Sequence, residues 1–264
     1  MTALAITGVG LLAPGLAGWA ASQAVLSGAR SYSAEPLPTA MATWLPANER
    51  RRTTQTVKLA LQVAQEALAM AAIPATTVSA VFASSAGDSE VIDQICAALT
   101  QPDRPVSPTH FHHSVHNTPA GYWAIATGCR QSSLSLSAYD GSFVVGLREA
   151  AALVWTEASP VLLVAYDLPP SFPLAEHRPL LAPFAVALLL APAPPTEGAL
   201  GIAQLLPVAR TAAESLADPA LERLHSGNPA ARSLPLLCAM ARRQASIVTL
   251  AAGDEQPLSV VFTP

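Results

Sequence analysis

The amino-acid sequence predicts an α/β fold in which helices cover a largely parallel β-sheet. Short apolar stretches alternate along the chain with longer segments whose apolar residues recur every three or four positions, a pattern typical of strands alternating with helices. Many of the short stretches are apolar on both faces, which indicates a sheet buried between two helical layers. No linker divides the 264 residues, so we expect a single domain over residues 1–264.

The first half of the chain gives the clearest elements. Residues 3–9 read as a buried strand, Pro14-Gly15 opens a short helix, and residues 31–48, with three prolines, read as a loop. A helical spacing of apolar residues runs from 52 to 72 and ends before Pro74. The remaining predictions here are strands at 78–83 and near 134–136, helices at 89–99, 120–127 and 142–155, and a proline-rich loop at 102–108.

The second half begins with two apolar strands and then loses clarity. Residues 161–166 and 185–190 are predicted strands. Beyond Pro192 the pattern weakens, and it indicates strands near 202–206, 247–251 and 258–262 with helices near 216–224 and 234–243.

Charged residues are scarce. They make up 12% of the chain, against about 25% in typical domains, and large obligate interfaces show such a depletion. The net charge of −4 with few basic residues gives no electrostatic basis for binding nucleic acid. Lys58 is the only lysine, so a mechanism that needs a second lysine is excluded.

The compartment follows from the cysteines and the apolar segments. Three widely spaced cysteines suggest no disulfide framework, which fits a reducing compartment. No Lys or Arg precedes Arg30, which argues against a signal peptide, and the longest apolar run, Phe184–Pro192, is too short to span a bilayer. We expect a cytoplasmic protein without a membrane span.

Residues 134–150, LSLSAYDGSFVVGLREA, have the outline of a nucleophile elbow. A strand runs into a sharp turn and a helix follows at once, so one side chain is presented where backbone N–H groups can hold an oxyanion. A nucleophilic Ser or Cys is expected at the tip, but the residue there is Tyr139. Phenol ionises near pH 10 and is a poor nucleophile, so the sequence predicts a vacant nucleophile position.

Two other constellations offer alternatives. His110, His112, His113 and His116 could hold a metal, although no HExxH pattern is present and no Cys or Glu lies among them; the simpler interpretation is a loop whose imidazoles pack or form hydrogen bonds. Cys129 or Ser142 could serve as the nucleophile of a self-sufficient condensing or acyl-transfer enzyme, although Ser142 does not stand in a GxSxG motif. We expect no metal and no other cofactor.

Several segments in the same order resemble the β-ketoacyl synthases of fatty-acid and polyketide assembly, over roughly residues 1–192. LAITGVGLLAPGL is similar to ITGxGxxSPxG, and VSPTHFHHSVHNTPAG matches an SP…NxxAG segment through Ser107-Pro108, Asn117, Ala120 and Gly121. The elbow falls on the active-site stretch TACxSGxxAxxxA, with Tyr139 in place of the acyl-accepting cysteine. VLLVAYD and HRPLLAPFAVALLLA resemble the following strand and the RPFD segment. The resemblance implies a thiolase-like fold with a mixed or parallel sheet, the first half-repeat intact and the second, residues 193–264, reduced.

The departures from the family imply a subunit that does not catalyse on its own. The resemblance calls for a cysteine, two histidines and a lysine, yet the cysteine is replaced and only His225 and no lysine follow residue 192. Such a sequence resembles the short chain-length-factor-like subunits of bacterial aryl polyene clusters. These pair with an active ketosynthase, act on acyl carrier protein through the complex, and shape the acyl tunnel.

The resemblance also implies which residues would line the tunnel or the partner interface. They come from the SP…NxxAG segment and the elbow, and they are Val106, His110, Phe111, Asn117, Tyr122, Trp123, Tyr139 and Phe143.

Overall fold

The apolar stretches of the sequence form the strands of one sheet in the computed structural model, which describes residues 3–193, 198–206, 212–253 and 256–264. Within these ranges the strands are β1 (Ala3–Ala13), β2 (Leu16–Ala17), β3 (Ser79–Ala83), β4 (Ser133–Leu136), β5 (Val161–Asp167), β6 (Phe184–Pro192), β7 (Gly201–Leu205), β8 (Ser246–Leu250) and β9 (Leu258–Thr263). The helices are α1 (Trp19–Leu26), α2 (Ala47–Arg52), α3 (Gln55–Ala71), α4 (Ser89–Leu99), α5 (Pro108–His113), α6 (Thr118–Thr127), α7 (Ser142–Glu157), α8 (Leu174–His177), α9 (Pro219–Ser226) and α10 (Leu234–Arg242).

The sheet is mixed rather than largely parallel. Its order is β4-β3-β5-β6-β1-β7-β9-β8, and β2 pairs with β1. Strand β3 runs parallel to β4 and to β5, whereas the other pairings, such as β5 with β6, are antiparallel. The prediction of a largely parallel sheet was wrong because an apolar run reports burial on both faces, and an antiparallel strand between two helical layers is buried in the same way.

Alternate side chains of the central strands enter two separate cores. Along β5, Leu163 faces one core, packed by α1, α7 and α10, and Leu162 faces the other, packed by α3 and α6. The sheet is therefore the middle layer between helices on both sides. This arrangement holds the carboxyl ends of β3, β4 and β5 in place at one edge.

Helix α3 lies directly against β1 because two glycines leave room for it. A Cβ on Gly8 would collide with the carbonyl oxygen of Ala67, and one on Gly10 with that of Val63. The GVG stretch thus has a packing role at the centre of the sheet.

Most predicted elements are present. The short strand β2, which follows Pro14-Gly15 before α1 begins, and the short helix α8 were not predicted, and the other main differences concern helix starts. Residues 108–113 are helical although a loop was predicted, because the Ser107 side chain caps the helix and Pro108 fits its first position. Arg52 ends the separate helix α2, and α3 begins only after Thr54, whose side chain accepts a hydrogen bond from the Val57 N–H. None of the described helices is long and apolar enough to cross a membrane.

Candidate functional site

The turn predicted as an elbow is present, and its tip is strained. Strand β4 ends at Leu136, Tyr139–Gly141 form one 3-10 turn, and α7 begins at Ser142. Tyr139 has φ +49°, in the left-handed region that an aromatic residue rarely adopts. The Ser142 hydroxyl accepts from the Ala138 N–H at 3.0 Å and donates to the Tyr139 carbonyl at 2.7 Å. These two bonds hold the turn closed.

An arginine from the β5–β6 connection covers the tip. The Arg178 guanidinium lies 3.7 Å from the centre of the Tyr139 ring, a cation–π contact, and its Nη2 is 2.7 Å from Oδ1 of Asp140. The Arg178 side chain is 13% exposed, whereas Tyr139 is 58% exposed. Gly253, with φ +64°, packs so closely on Asp140 that an added Cβ would lie 2.7 Å from the Asp140 Cβ. The tip of the turn is therefore occupied by a Tyr139–Arg178–Asp140 cluster.

A buried carboxylate ties the strand ends together near this cluster. Oδ1 of Asp167 accepts from the Ser84 hydroxyl at 3.0 Å and from the Ser85 N–H and hydroxyl, both at 2.8 Å. Burial raises the pKa of Asp167 to about 6, against the opposing effect of the serine hydrogen bonds and of Arg178. Oδ2 has no hydrogen-bond partner within the described part of the chain.

The C-terminal part of the chain closes the same region through one amide. Asn228 is buried, and its Nδ2 donates to the carbonyl oxygens of Asp167 at 3.1 Å and Ala182 at 2.8 Å. The ends of parallel strands are where α/β proteins place their sites. This polar region is therefore the candidate site.

The two alternative nucleophiles, Cys129 and Ser142, form hydrogen bonds within the fold, and the buried Cys and His of the second half are Cys238 and His225. Cys129 is buried, and its Sγ contacts the Val78 carbonyl at 3.5 Å, at the end of β3 opposite to the elbow. Cys238 lies in α10, where burial raises its pKa to about 11, and the Ser142 hydroxyl is used in the turn. His225 is buried with its Nδ1 3.1 Å from Glu222.

The four clustered histidines do not converge on one point. His116 Nε2 is 3.2 Å from the Ser84 carbonyl oxygen, while the rings of His112 and His113 pack edge-on at 5.3 Å. In the described ranges, no three His, Cys, Asp or Glu side chains come together as a metal site.

The predicted tunnel and interface residues divide between the surface and the core. Phe111 and Asn117 are exposed, and Val106 and His110 are partly exposed. Tyr122, Trp123 and Phe143 are buried, with Trp123 packed against Trp44 and Phe82. The buried three can reach a partner only through the residues that they support.

Helices α5 and α6 frame an apolar groove of about 410 Å³. Phe111, Val115 and Ile125 are 69%, 54% and 53% exposed. Helix α6 contacts the edge strand β4, whose Leu134 is 38% exposed. We call Phe111, Val115, Ile125 and Leu134 the α5–α6 surface. Exposed apolar residues grouped in this way indicate a protein contact.

The sequence did not reveal the partners of the elbow. Arg178 stands in the HRPLL stretch that resembles RPFD, so the motif gave a signal for this residue. Its contact with Tyr139 could not be predicted, because the two residues are 39 positions apart in the sequence. Asp167 and Asn228 carried no signal, because the hydrogen bonds described above join residues 46 to 83 positions apart.

The helix-covered mixed sheet with a strained elbow defines a thiolase-like fold of the ketosynthase type. The family model for the N-terminal domain of β-ketoacyl synthases matches residues 19–247, so the chain belongs to that family. No curated protein matches it.

Solved structures agree with this fold. A ketosynthase (ApeO) in complex with its chain length factor (ApeC) from Xenorhabdus doucetiae matches with 26% identity, a TM-score of 0.74 and 99% of both chains covered. The ishigamide ketosynthase/chain length factor matches with 14% identity and a TM-score of 0.73, again over 99% of both chains. A type II polyketide acyl carrier protein in complex with its ketosynthase, AntDE:AntF, matches with 12% identity, a TM-score of 0.74 and the same coverage. The last two likenesses concern the fold alone.

Proposed function

We propose that this chain is a non-catalytic, chain-length-factor-like subunit that pairs with an active β-ketoacyl-carrier-protein synthase. In the pair it shapes the acyl tunnel and sets product length in polyene or fatty-acid-type biosynthesis, as in aryl polyene clusters. Residues 193–264 are then a reduced second half of the thiolase-type repeat. The complex works in the cytoplasm on acyl groups carried by acyl carrier protein, and this subunit needs no cofactor.

The strained elbow without a nucleophile is the observation that carries the proposal. Holding Tyr139 in the left-handed region costs about 1 kcal/mol or more. An ordinary turn would avoid that cost with glycine or asparagine at this position. Strain of this kind is typical of sites built to present a reactive group, and here it presents a phenol covered by Arg178. A former active site kept for its architecture accounts for both features.

The α5–α6 surface supports a protein partner. Stable pairs bury about 1,600 Å² in total, with apolar anchors at the centre of the contact. The edge strand β4 adds backbone N–H and C=O groups that face away from β3, and such an edge is a template for pairing with another chain. The X. doucetiae chain that is 26% identical to this one comes from a complex of a ketosynthase with its chain length factor, which makes an active ketosynthase the favoured partner.

Two matched lysine substitutions test the partner surface. Ile125 on α6 is 53% exposed and Ile247 on the opposite sheet edge is 49% exposed. We expect Ile125→Lys to abolish a one-to-one complex with the active ketosynthase of the same genome, because a buried lysine there would lose its hydration without a counter-charge. Ile247→Lys should leave the complex intact.

Co-expression followed by size-exclusion chromatography measures the outcome. Wild-type chain that elutes as a monomer beside its ketosynthase would contradict the proposal. Equal effects of both substitutions would contradict the assignment of the surface.

A further inference from the structure

Four of the six histidines of the chain fall within residues 110–116, and the proposed function uses none of their chemistry. Three aromatic rings form a compact cluster behind the groove. His113 is stacked on Tyr122, with ring centres 5.4 Å apart and planes at 23°. His112 meets both rings edge-on, at 5.3 Å from His113 and 6.1 Å from Tyr122. His112 and Tyr122 also line the groove, so the cluster is part of its wall.

His113 is the buried member. It is 2% exposed, and its Nδ1 has no hydrogen-bond partner in the part of the chain that the structure describes. Burial is the main cause that lowers the pKa of His113, and the neighbouring His112 adds to it. Protonation of this ring would therefore place a cation with one unpaired N–H inside the protein.

Among the described residues, the charged ones that line the same cleft as His113 are Arg52 of α2, Lys58 of α3, and Asp88 and Glu90 at the start of α4. Helix α5 itself contributes His110 and His112, which both oppose a positive charge. Helix α2 contributes the backbone carbonyl of Arg52, and Asp88 is the cap of α4. Both favour a charge on His113. Asp88 Oδ1 accepts from the Val91 N–H at 3.2 Å, while Oδ2 has no hydrogen-bond partner among the described residues. Tyr122 of α6 presents its ring face.

The position of α5 decides whether the groove exists. The Thr118 hydroxyl at the start of α6 contacts the carbonyl oxygen of His113 at 3.3 Å and that of Val115 at 2.8 Å. Phe111 and His112, which line one side of the groove, are carried on this helix of six residues. A change that drives His113 out of its stack moves this wall of the groove.

The direction of the pH effect follows from the ring being neutral in the folded chain. A histidine whose pKa is lowered by folding contributes stability that is present above its unfolded pKa, near 6.5, and is lost as the pH falls below that value. One linked proton changes an equilibrium by about tenfold per pH unit in that range.

We propose that the His112–His113–Tyr122 cluster makes the partner surface acid-labile, so that mild acidification opens α5 and releases the ketosynthase. This inference rests on the proposed function for the identity of the partner. The opening of α5 itself does not depend on it.

Two measurements separate the inference from the function. On the isolated chain, hydrogen exchange of α5 and α6 amides at pH 7.5 and 5.5 should show α5 losing protection at the lower pH. On the complex, the dissociation constant should rise about tenfold over the same range for wild type and for His177→Phe, whose histidine is exposed on α8. His113→Phe keeps a ring against Tyr122 but cannot take up a proton, and its dissociation constant should stay flat.

Asp167 also changes its protonation in this pH range, and its effect on stability has the opposite sign to that of His113. Because Asp167 is present in wild type and in every variant, comparison among them cancels its contribution. An identical rise in His113→Phe, or unchanged α5 exchange in wild type, would overturn the inference. If His113→Phe does not fold, His113→Gln takes its place with the same expectation. If wild type does not bind the ketosynthase at any pH, the proposed partner is wrong. The hydrogen-exchange measurement on the isolated chain would still show whether α5 opens at low pH.

Discussion

The buried carboxyl of Asp167 gives the most quantitative prediction. Burial raises its pKa from 3.8 to about 6. Because the unfolded chain keeps the ordinary pKa, the native state takes up a proton between these values while the unfolded state does not, so the contribution of this group to stability increases as the pH falls from 7 towards 4. The whole shift corresponds to about 3 kcal/mol, and about 1 kcal/mol of it falls between pH 7 and pH 5.

Urea unfolding of wild type and Asp167→Asn at both pH values tests this. The amide oxygen can still accept from the serines, and the amide does not titrate, so other groups cancel in the comparison. We expect the difference in unfolding free energy, wild type minus variant, to increase by about 1 kcal/mol when the pH is lowered from 7 to 5. Asp103→Asn, at an exposed loop position, is the control. Parallel pH profiles of wild type and Asp167→Asn would refute the reasoning, as would a loss on acidification.

Two further substitutions test the packing and the tunnel. Gly10→Ala should lower the unfolding free energy by about 1–3 kcal/mol, because the new Cβ would meet the backbone of Val63. Gly121→Ala, whose new Cβ would have no atom within 4 Å, should stabilise α6 by up to about 1 kcal/mol. Similar urea midpoints for the two variants would contradict this. Phe111→Ala should change the stability of the isolated chain by no more than about 0.5 kcal/mol, since the ring is 69% exposed. In the complex it should lengthen the products bound to carrier protein, and an unchanged product distribution would remove Phe111 as a determinant of length.

The elements could be predicted from the sequence because local patterns determine them. Helix α4 covers residues 89–99 as predicted from its apolar spacing, and β4 precedes a turn and a long helix as the elbow pattern indicated. Strand direction could not be predicted, since Val161–Asp167 and Phe184–Pro192 read alike whether they run parallel or antiparallel. Both are buried on both faces, and the pairing between them is a long-range property.

The candidate site was predictable at one residue and not around it. Tyr139 was identified from the motif, but the guanidinium above its ring belongs to Arg178, which is distant in sequence. The sequence predicted no role for Asp140, yet its Oδ1 lies 2.7 Å from Nη2 of that arginine. Trp123 and Phe143 were named as tunnel or interface residues through the family resemblance. Both side chains are buried in this chain, and their place in a tunnel stays a prediction.

Covalent acylation is the property that most directly separates a silent subunit from a condensing enzyme. The complex of this chain with its active ketosynthase would be incubated with acyl-loaded carrier protein, quenched in acid and measured by intact-protein mass spectrometry. We predict an acyl adduct on the ketosynthase and an unmodified mass for this chain, because the residue at the tip of its turn is a phenol beneath Arg178, and phenol is a poor nucleophile. An acyl adduct on this chain would contradict the account.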